Sequence, residues 1–340
     1  MQQKIPASII RQIFVVLILM VAAVLIIYEM LPYLGGVLAA VTLYVLLVPA
    51  QRFFEEKGWK PWVAATLLLV VSVIVILLPV AGLGLLFTSQ IKDAVANSDQ
   101  ITEQIRTQIR QIEDYVGFDV VPAIDGEQVK STLSYVFSNF ADSSLTVFIA
   151  VGVMFFLLYY MLIERKTWQN ATLRYLPLKK KNIKAIGKES IDLVKSNALA
   201  IPLVAIMQGI VALIGYYIFG VDNPFFWFGV TVIGSMIPFV GTALGIAPVV
   251  ILLLAQGETE SAIGILIYGA VVVGSTDNLF RLIVQKKLAD IHPLITLIGV
   301  VVGVPLFGFI GLIFGPLLIS LFLLLIKIYK KEYGDQKEAI

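Results

Sequence analysis

Long uninterrupted apolar runs dominate the chain and are separated by short polar segments. Six of them cover residues 13–28, 34–50, 62–87, 145–163, 198–219 and 263–283. Apolar runs of about 18 residues or more are typical of transmembrane helices. The pattern predicts an all-α polytopic integral membrane protein with about six full spans.

The first two runs are joined by a short segment that contains Glu29, Pro32 and Gly35. No small-residue cleavage site follows the first run, so a cleaved signal peptide is not expected. We predict instead that the two runs form a helical hairpin whose ends lie on the cytoplasmic side.

Residues 89–142 are too polar for a membrane interior. Their apolar residues recur at the spacing of one helix face: Ile101, Ile105, Ile109, Ile112 and Val116. A segment around Pro122 interrupts the pattern before helix resumes. We expect a small extracytoplasmic helical lobe.

Composition agrees with the membrane class, because 59% of the 340 residues are hydrophobic and only 14% are charged. The net charge of +2 says little, whereas the distribution of Lys and Arg sets orientation. Residues 165–195 carry nine basic residues, while residues 89–139 carry four against eight acidic ones. We predict a bacterial cytoplasmic (inner) membrane protein with both termini cytoplasmic.

The basic segment places four lysines on one helical face, Lys181, Lys184, Lys188 and Lys195. Apolar residues lie among them, which favours an interfacial helix on anionic membrane lipid. A solvated linker is the alternative. The predicted organisation is N-terminal scaffold spans (1–88), the lobe (89–142), the fourth span with the interfacial helix (143–197), a transport unit (198–330) and a cytoplasmic tail (331–340).

Two further apolar runs, Pro224–Gln256 and Pro293–Ile326, carry no charge and have an awkward length. Each would be roughly 50 Å long as one helix, which is too long for one span and too short for two. Each has proline and glycine near its middle, residues that break a helix and permit a reversal. The predicted hairpin tips contain Pro238 and Gly241 in the first run, and Pro305 and Gly308 in the second. Ordinary spans kinked by proline are the alternative.

Each of these runs follows a full span, so a unit of one span and one broken hairpin occurs twice. The charge bias gives the two units opposite orientations if the hairpins are re-entrant. Inverted repeats with broken helices are typical of secondary transporters. Irregular backbone at membrane depth is tolerated where it is buried in protein or lines an aqueous cavity.

The end of the sixth run is the strongest candidate for chemistry. Its polar residues are Ser275, Thr276, Asp277, Asn278 and Arg281. An ionisable residue within a span is a functional hypothesis by default. A desolvated Asp277 would suit a proton or Na⁺ site, whereas pairing with Arg281, four residues on, weakens the proton role. A structural interfacial pair is the alternative.

Other polar side chains within the runs suit a hydroxylated solute or Na⁺, although each alone is more typical of helix packing. They are Gln208, Thr231, Ser235, Thr242 and Thr296. His292, which precedes the second long run, is predicted as a pH sensor, with a structural role as the alternative.

Enzyme motifs are missing from the sequence. There is no phosphate-binding loop, no H-E-x-x-H motif and no G-x-S-x-G elbow. With no cysteine and one histidine, thiolate and histidine-cluster metal sites are excluded. We predict no enzymatic activity, no cofactor, no metal other than Na⁺ at Asp277, and no nucleic-acid partner.

The sequence resembles the autoinducer-2 exporter family of bacterial permeases over essentially its whole length. The resemblance is carried by Ile237–Thr242 with Pro248, by Asp277-Asn278-Leu-Phe-Arg281, and by His292-Pro293 with the 305–311 and 315–317 segments. It departs from the family pattern at Leu282, where a proline is usual.

The resemblance implies a secondary transporter, exporting a small polar solute such as autoinducer-2 or exchanging Na⁺ or Li⁺ for protons. It also implies a homo-oligomer, plausibly a pentamer, and an elevator-like motion of the hairpin-bearing half. A passive channel and a non-transporting membrane scaffold remain open as alternatives.

Overall fold

The computed structural model describes residues 7–96, 103, 107, 131, 135, 144–165, 167, 179–237, 241–276, 279–280 and 293–330. Every regular element in these ranges is helical, as the apolar pattern predicts. The helices are α1 (Ala7–Met30), α2 (Leu34–Glu56), α3 (Pro61–Ala96), α4 (Ser144–Ile163), α5 (Lys180–Ile218), α6 (Pro224–Ser235), α7 (Gly241–Ala255), α8 (Thr259–Tyr268), α9 (Pro293–Phe307) and α10 (Gly311–Tyr329). Nearly all of the predicted lobe and the tail after Lys330 lie outside the described residues.

The first two apolar runs do not form the predicted hairpin. Helices α1 and α2 are joined by a 3-10 turn at Leu31–Tyr33, and together they make one 49-residue helical stretch. Met30, Tyr33 and Leu34 all have right-handed helical dihedral angles, so the chain stays helical through the junction. The cytoplasmic position of the N terminus depended on that reversal and stays a prediction.

Helices α2, α3 and α4 pack around one apolar cluster whose buried members include Ala40, Leu68 and Leu158. Gly36 lies directly against the backbone of Ala150, which brings α2 and α4 into close contact. At the other end, the Arg165 guanidinium donates to the Glu55 carboxylate at 3.1 Å. We call these three helices the scaffold; the predicted scaffold, residues 1–88, did not include α4 and stays a prediction.

Helix α5 is the central helix of the second half of the molecule. It has 39 residues and is therefore roughly 58 Å long. The basic segment is the first part of α5 and not a separate element. Its Leu193 and Val194 are buried against Phe314 and Leu317 of α10.

The first long run folds back on itself. Helices α6 and α7 pack as an antiparallel pair with Gly241 directly against Gly234, and with Gly245 directly against Thr231. Small residues permit such close approach of two helices. The chain reverses between the end of α6 at Ser235 and the start of α7 at Gly241; the predicted tip residue Pro238 is outside the described residues.

The second long run forms a hairpin in the same way. Gly308 has φ of +64° and begins a 3-10 turn between α9 and α10. This left-handed backbone favours glycine. Gly299 lies against Gly315 across the two arms. Both long runs are therefore helical hairpins and not single kinked spans.

Helix α8 continues beyond Tyr268 through a π-helical segment, Gly269–Val273, and is helical as far as Thr276. Six stretches of the described chain are long and apolar enough to cross a membrane: Ser8–Glu56, Pro61–Gly82, Thr146–Ile163, Lys180–Ile218, Thr259–Thr276 and Leu294–Tyr329. The number of these stretches equals the predicted number of spans, but they are not the same six segments. The first stretch contains two predicted spans, and the last is the second hairpin.

Candidate functional site

The candidate site is built on one face of α5, between the two hairpins. Asn197 and Gln208 are both buried, and eleven residues separate them along the helix. A separation of eleven residues is just over three full turns, so the two side chains project from the same face about 16 Å apart. Ala200 and Val204 lie between them and are buried against Phe280.

Gln208 is the most unusual group on this face. Its side chain is 1% exposed, yet neither Nε2 nor Oε1 has a hydrogen-bond partner among the residues that the structure describes. A buried polar group without a partner costs about 1–3 kcal/mol. Such a group in a folded protein calls for a water molecule, an ion or a ligand.

Ser235 presents a second orphaned group. Its side chain is 3% exposed, and its Oγ also has no hydrogen-bond partner in the described part of the chain. Gly209 lies against Phe228 and Val232 of α6. Because α5 and α6 run antiparallel, Gln208 and Ser235 both lie beyond that contact in the same direction, within about one helical turn. The two residues therefore lie at similar heights along the packed helices α5 and α6, towards the tip end of the first hairpin.

The two hairpins approach this face of α5 from opposite ends. The Asn197 Nδ2 atom donates to the carbonyl of Ile313, close to the tip of the second hairpin, at 3.4 Å. Gly241, at the tip end of the first hairpin, packs directly against Gly234 and Ser235. The second hairpin therefore contacts α5 at Asn197, and the first contacts it at Gly209, next to Gln208.

The strongest predicted stretch is described only in part. Thr276 is half-buried, and its hydroxyl donates to the carbonyl of Val273 at 2.8 Å; Ser275 is exposed. The other predicted residues of this stretch and of the tips lie outside the described residues: Asp277, Asn278, Arg281, Pro238 and His292.

Three further predicted residues have ordinary surroundings. Thr242 and Thr296 are half-buried. Pro305 is exposed in the last turn of α9, before the reversal itself. None of the three is joined to Gln208 by a hydrogen bond among the described residues.

Thr231 has a structural role. Its hydroxyl donates to the carbonyl of Trp227 at 2.7 Å and lies 2.7 Å from the Tyr216 hydroxyl. Tyr216 is fully buried. The sequence analysis missed both Tyr216 and Asn197. The eleven-residue separation of Asn197 from Gln208 was the available signal for Asn197.

We predict that Tyr216→Phe destabilises the protein modestly without impairing transport. The change removes one buried hydrogen bond, which is worth about 0.5–1.5 kcal/mol, while Thr231 keeps its bond to Trp227. Thermal unfolding of the purified variant and a flux assay check the two parts. A stable variant that no longer transports would show that the Tyr216 hydroxyl acts in the pathway.

In the part of the chain that the structure describes, acidic and histidine side chains do not form a metal-binding site. No group of three or more His, Cys, Asp or Glu side chains there is arranged to hold a metal ion. The polar groups at the site are an amide and hydroxyls, which donate and accept hydrogen bonds without carrying charge.

Comparison with known proteins places this architecture in a family. The sequence model described as "AI-2E family transporter" matches residues 14–331. The chain belongs to the AI-2E transporter family. This membership agrees with the helical spans and makes the protein an integral membrane protein of a transporter family.

Relatives across bacteria support this assignment at low identity. A protein of Aquifex aeolicus named "Putative transport protein" is 21% identical over 314 residues, covering 86% of this chain and 89% of the relative. "Putative transport protein YueF" of Bacillus subtilis is 26% identical over 293 residues, covering 80% and 77%. A Mycobacterium tuberculosis relative is 26% identical over 316 residues, covering 87% and 83%.

Proposed function

We propose that this AI-2E family protein is a secondary transporter that binds a small polar solute between its two hairpins. The pair of orphaned polar groups on Gln208 and Ser235 carries the proposal. Both are buried and unpartnered where the first hairpin meets α5. A transported solute with hydroxyl or carbonyl groups would supply the missing hydrogen bonds while it is bound.

Both hairpins are proposed to be re-entrant. Helices α6 and α7 have 12 and 15 residues, and are therefore about 18 and 22 Å long. Helix α9 also has 15 residues. These arms are shorter than the roughly 30 Å hydrocarbon core. Hairpins that stop within the membrane bring their tips to a central site, as secondary transporters require.

Export of an autoinducer-2-like solute is the first specific form of this function. Gln208 and Ser235 are uncharged, and Tyr216 and Thr231, on the same two helices, are hydroxyls bonded to each other. An uncharged hydrogen-bonding site suits a hydroxylated furanone derivative better than it suits a strongly charged solute.

Exchange of Na⁺ or Li⁺ for protons is the second form, favoured by one contact. Phe280 packs on α5 at Val204, one helical turn before Gln208 and three residues after Asp277 in the chain. This contact supports a role for the Asp277 carboxylate in the same pathway. The amide and hydroxyl oxygens would then complete coordination of the cation.

The test uses purified protein in proteoliposomes. Radiolabelled autoinducer-2 is loaded, and counterflow against unlabelled solute is measured; a pH-sensitive dye reports proton movement when Na⁺ or Li⁺ is added. The exporter form predicts saturable counterflow, which a passive channel does not produce. The antiporter form predicts collapse of the proton gradient that needs both the cation and Asp277, and therefore disappears in Asp277→Asn.

Absence of both signals from folded, inserted protein would overturn the transport proposal and favour a membrane scaffold. Thr231→Ala is the control substitution, because Thr231 is bonded within the hairpin and is not expected to contact solute. Its flux should stay close to that of the unmodified protein.

A further inference from the structure

The first half of α5 presents a row of lysines on its exposed face. Four lysines whose spacing puts them on one side of a helix are all exposed in the structure: Lys181, Lys184, Lys188 and Lys195. The first and last of them are about 21 Å apart along the helix axis. Residues 180–197 contain five lysines and two acidic residues. The exposed face of this half of α5 is therefore strongly positive.

The opposite face of this half is buried against two apolar helices. Leu193 and Val194 form a buried cluster with Phe314 and Leu317 of α10. Three residues of α2 pack against the same cluster: Leu38, Val41 and Val45. These three residues lie near the middle of the apolar run 34–50, which belongs to a candidate membrane span. The lysine-bearing half of α5 therefore lies beside the middle of a span.

The register between α5 and α10 shows which side chains lie at the level of each lysine. The two helices are antiparallel, because Asn197 bonds to Ile313 while earlier residues of α5 pack on later residues of α10. Both helices rise by about 1.5 Å per residue, so Lys188 lies at about the level of Phe322, each being nine residues from its member of that bonded pair. Phe322 is 61% exposed. A lysine and a large apolar side chain are thus exposed on neighbouring helices at one level.

The exposed face of α5 changes character after Lys195. The next four exposed residues along the helix are apolar: Leu199, Leu203, Ile206 and Ile210. The helix itself continues from Lys180 to Ile218, so the basic half does not form a separate element lying in the membrane plane. The positive face ends close to the level of Asn197, where the second hairpin contacts α5.

Lysines beside an apolar hairpin restrict what can cover them. Charged side chains at membrane depth face a water-filled cavity or pair with an opposite charge, because hydrocarbon does not solvate them. The proposed re-entrant position of the second hairpin places Phe322 within the membrane, and Lys188 lies at the same depth. Two acidic residues are too few to pair five lysines. This face of α5 therefore needs water.

We propose that the lysine face of α5 lines a water-filled vestibule that opens to the cytoplasm and ends near the level of Asn197. The proposal rests on the proposed function, because it takes the second hairpin as re-entrant. A low-dielectric cleft lined by one sign of charge concentrates solutes of the opposite sign. The vestibule therefore attracts anionic solutes and repels cations, which favours the exporter form over binding of Na⁺ or Li⁺ from this side.

The test measures how fast charged thiol reagents reach single cysteines, and the cysteine-free sequence allows them to be placed without removing native cysteines. Lys188→Cys is compared with Phe322→Cys, at the same level on α10, and with Ile206→Cys, further along the exposed face of α5. Each variant is checked for folding by thermal unfolding and reconstituted in lipid nanodiscs, where both sides of the bilayer are accessible. The probes are one negatively and one positively charged methanethiosulfonate, which react only from water.

The vestibule predicts that Lys188→Cys reacts, whereas Phe322→Cys and Ile206→Cys face lipid and are protected. At Lys188→Cys, the rate with the negative reagent divided by the rate with the positive one should exceed the same ratio for a free thiol by about tenfold or more. Adding Lys184→Gln and Lys195→Gln to Lys188→Cys should return this ratio towards the free-thiol value, because two neighbouring charges are removed.

Two patterns of reactivity would overturn the vestibule. Protection of Lys188→Cys would mean that lipid headgroups or a second copy of the chain cover the lysine face. Equal reaction of Lys188→Cys and Phe322→Cys would mean that both helices lie in water outside the membrane. A rate ratio no higher than that of a free thiol would overturn the attraction of anions.

The measurement needs no transported solute, so its failure can be distinguished from failure of the proposed function. If the three cysteines react as predicted and no flux is found in proteoliposomes, the transport proposal fails and the vestibule stands. If flux is found while Lys188→Cys is protected, the vestibule fails and the transport proposal stands.

Discussion

Gly315→Ala is expected to lower the thermal stability of the protein sharply and to reduce the yield of folded protein. A methyl group at this position would overlap the carbonyl oxygen of Gly299 in the opposite arm of the second hairpin. Because the overlapping atom belongs to the backbone, it cannot move away as the end of a flexible side chain can. The two arms must therefore separate. Such overpacking costs about 1–3 kcal/mol and occasionally more. Thermal unfolding of purified protein in detergent, followed by size-exclusion chromatography, measures the effect.

Gly152→Ala provides the matched control for this prediction. Gly152 also lies within a helix, α4, but a methyl group there would meet no atom within 4 Å. Alanine is a better helix former than glycine by about 1 kcal/mol, so this variant should be at least as stable as the unmodified protein. An unchanged unfolding temperature in Gly315→Ala would contradict the close packing of the hairpin arms.

Gln208→Leu is expected to stabilise the protein while abolishing transport. Leucine has a similar size and removes two orphaned polar atoms from a buried position. The gain should be about 1–3 kcal/mol, the cost of an unsatisfied buried polar group. Solute flux should be lost. The solute gives up hydrogen bonds to water when it enters the site, and the Gln208 amide that would replace them has been removed. Unfolding temperature and flux are measured on the same preparation.

Gln51→Leu is the control, and its expected change in stability is opposite in sign to that of Gln208→Leu. Gln51 is fully buried in α2, and its Oε1 is unpartnered among the described residues, but its Nε2 donates to the Glu55 carboxylate and to the carbonyl of Pro61, each at 3.0 Å. Leucine would remove both bonds, so the protein should be destabilised. If Gln208→Leu were destabilising to the same degree, Gln208 would have a structural partner and the proposed binding role would be wrong.

The hairpins could be predicted from sequence because their signals are local. A charge-free run that is too long for one span and too short for two, with proline and glycine near its middle, has few ways to fold. Gly308 adopts the left-handed backbone that its position in the second run suggested. For the first run the same reasoning put Gly241 in the tip, and in the structure it is the first residue of α7.

The junction of the first two runs was predicted wrongly for an equally physical reason. Proline at Pro32 was taken as part of a reversal, but its φ is compatible with the first turn of a helix. Here it lies in the first residues of a 3-10 turn, and the chain continues in helical geometry. Whether a proline ends a helix or begins one is decided by packing that the local sequence does not contain.

The site could be predicted only in its residue types. Gln208 and Ser235 were found as polar residues within apolar runs, but their lack of partners follows from how α5 and α6 pack. Thr231 looked equivalent in sequence and is satisfied by Trp227 and Tyr216. Partner choice depends on helix register across the interface, which no single run specifies.

The most direct test of the central claim is binding measured through thermal stability, with the species that proves to move in the flux assay. A ligand that binds only the folded protein raises its stability with concentration, by about 2.7 kcal/mol at a hundredfold excess over Kd. The account predicts a concentration-dependent rise in unfolding temperature for the unmodified protein and none for Gln208→Leu. An equal rise in both would contradict it, because the solute would then bind without the orphaned amide.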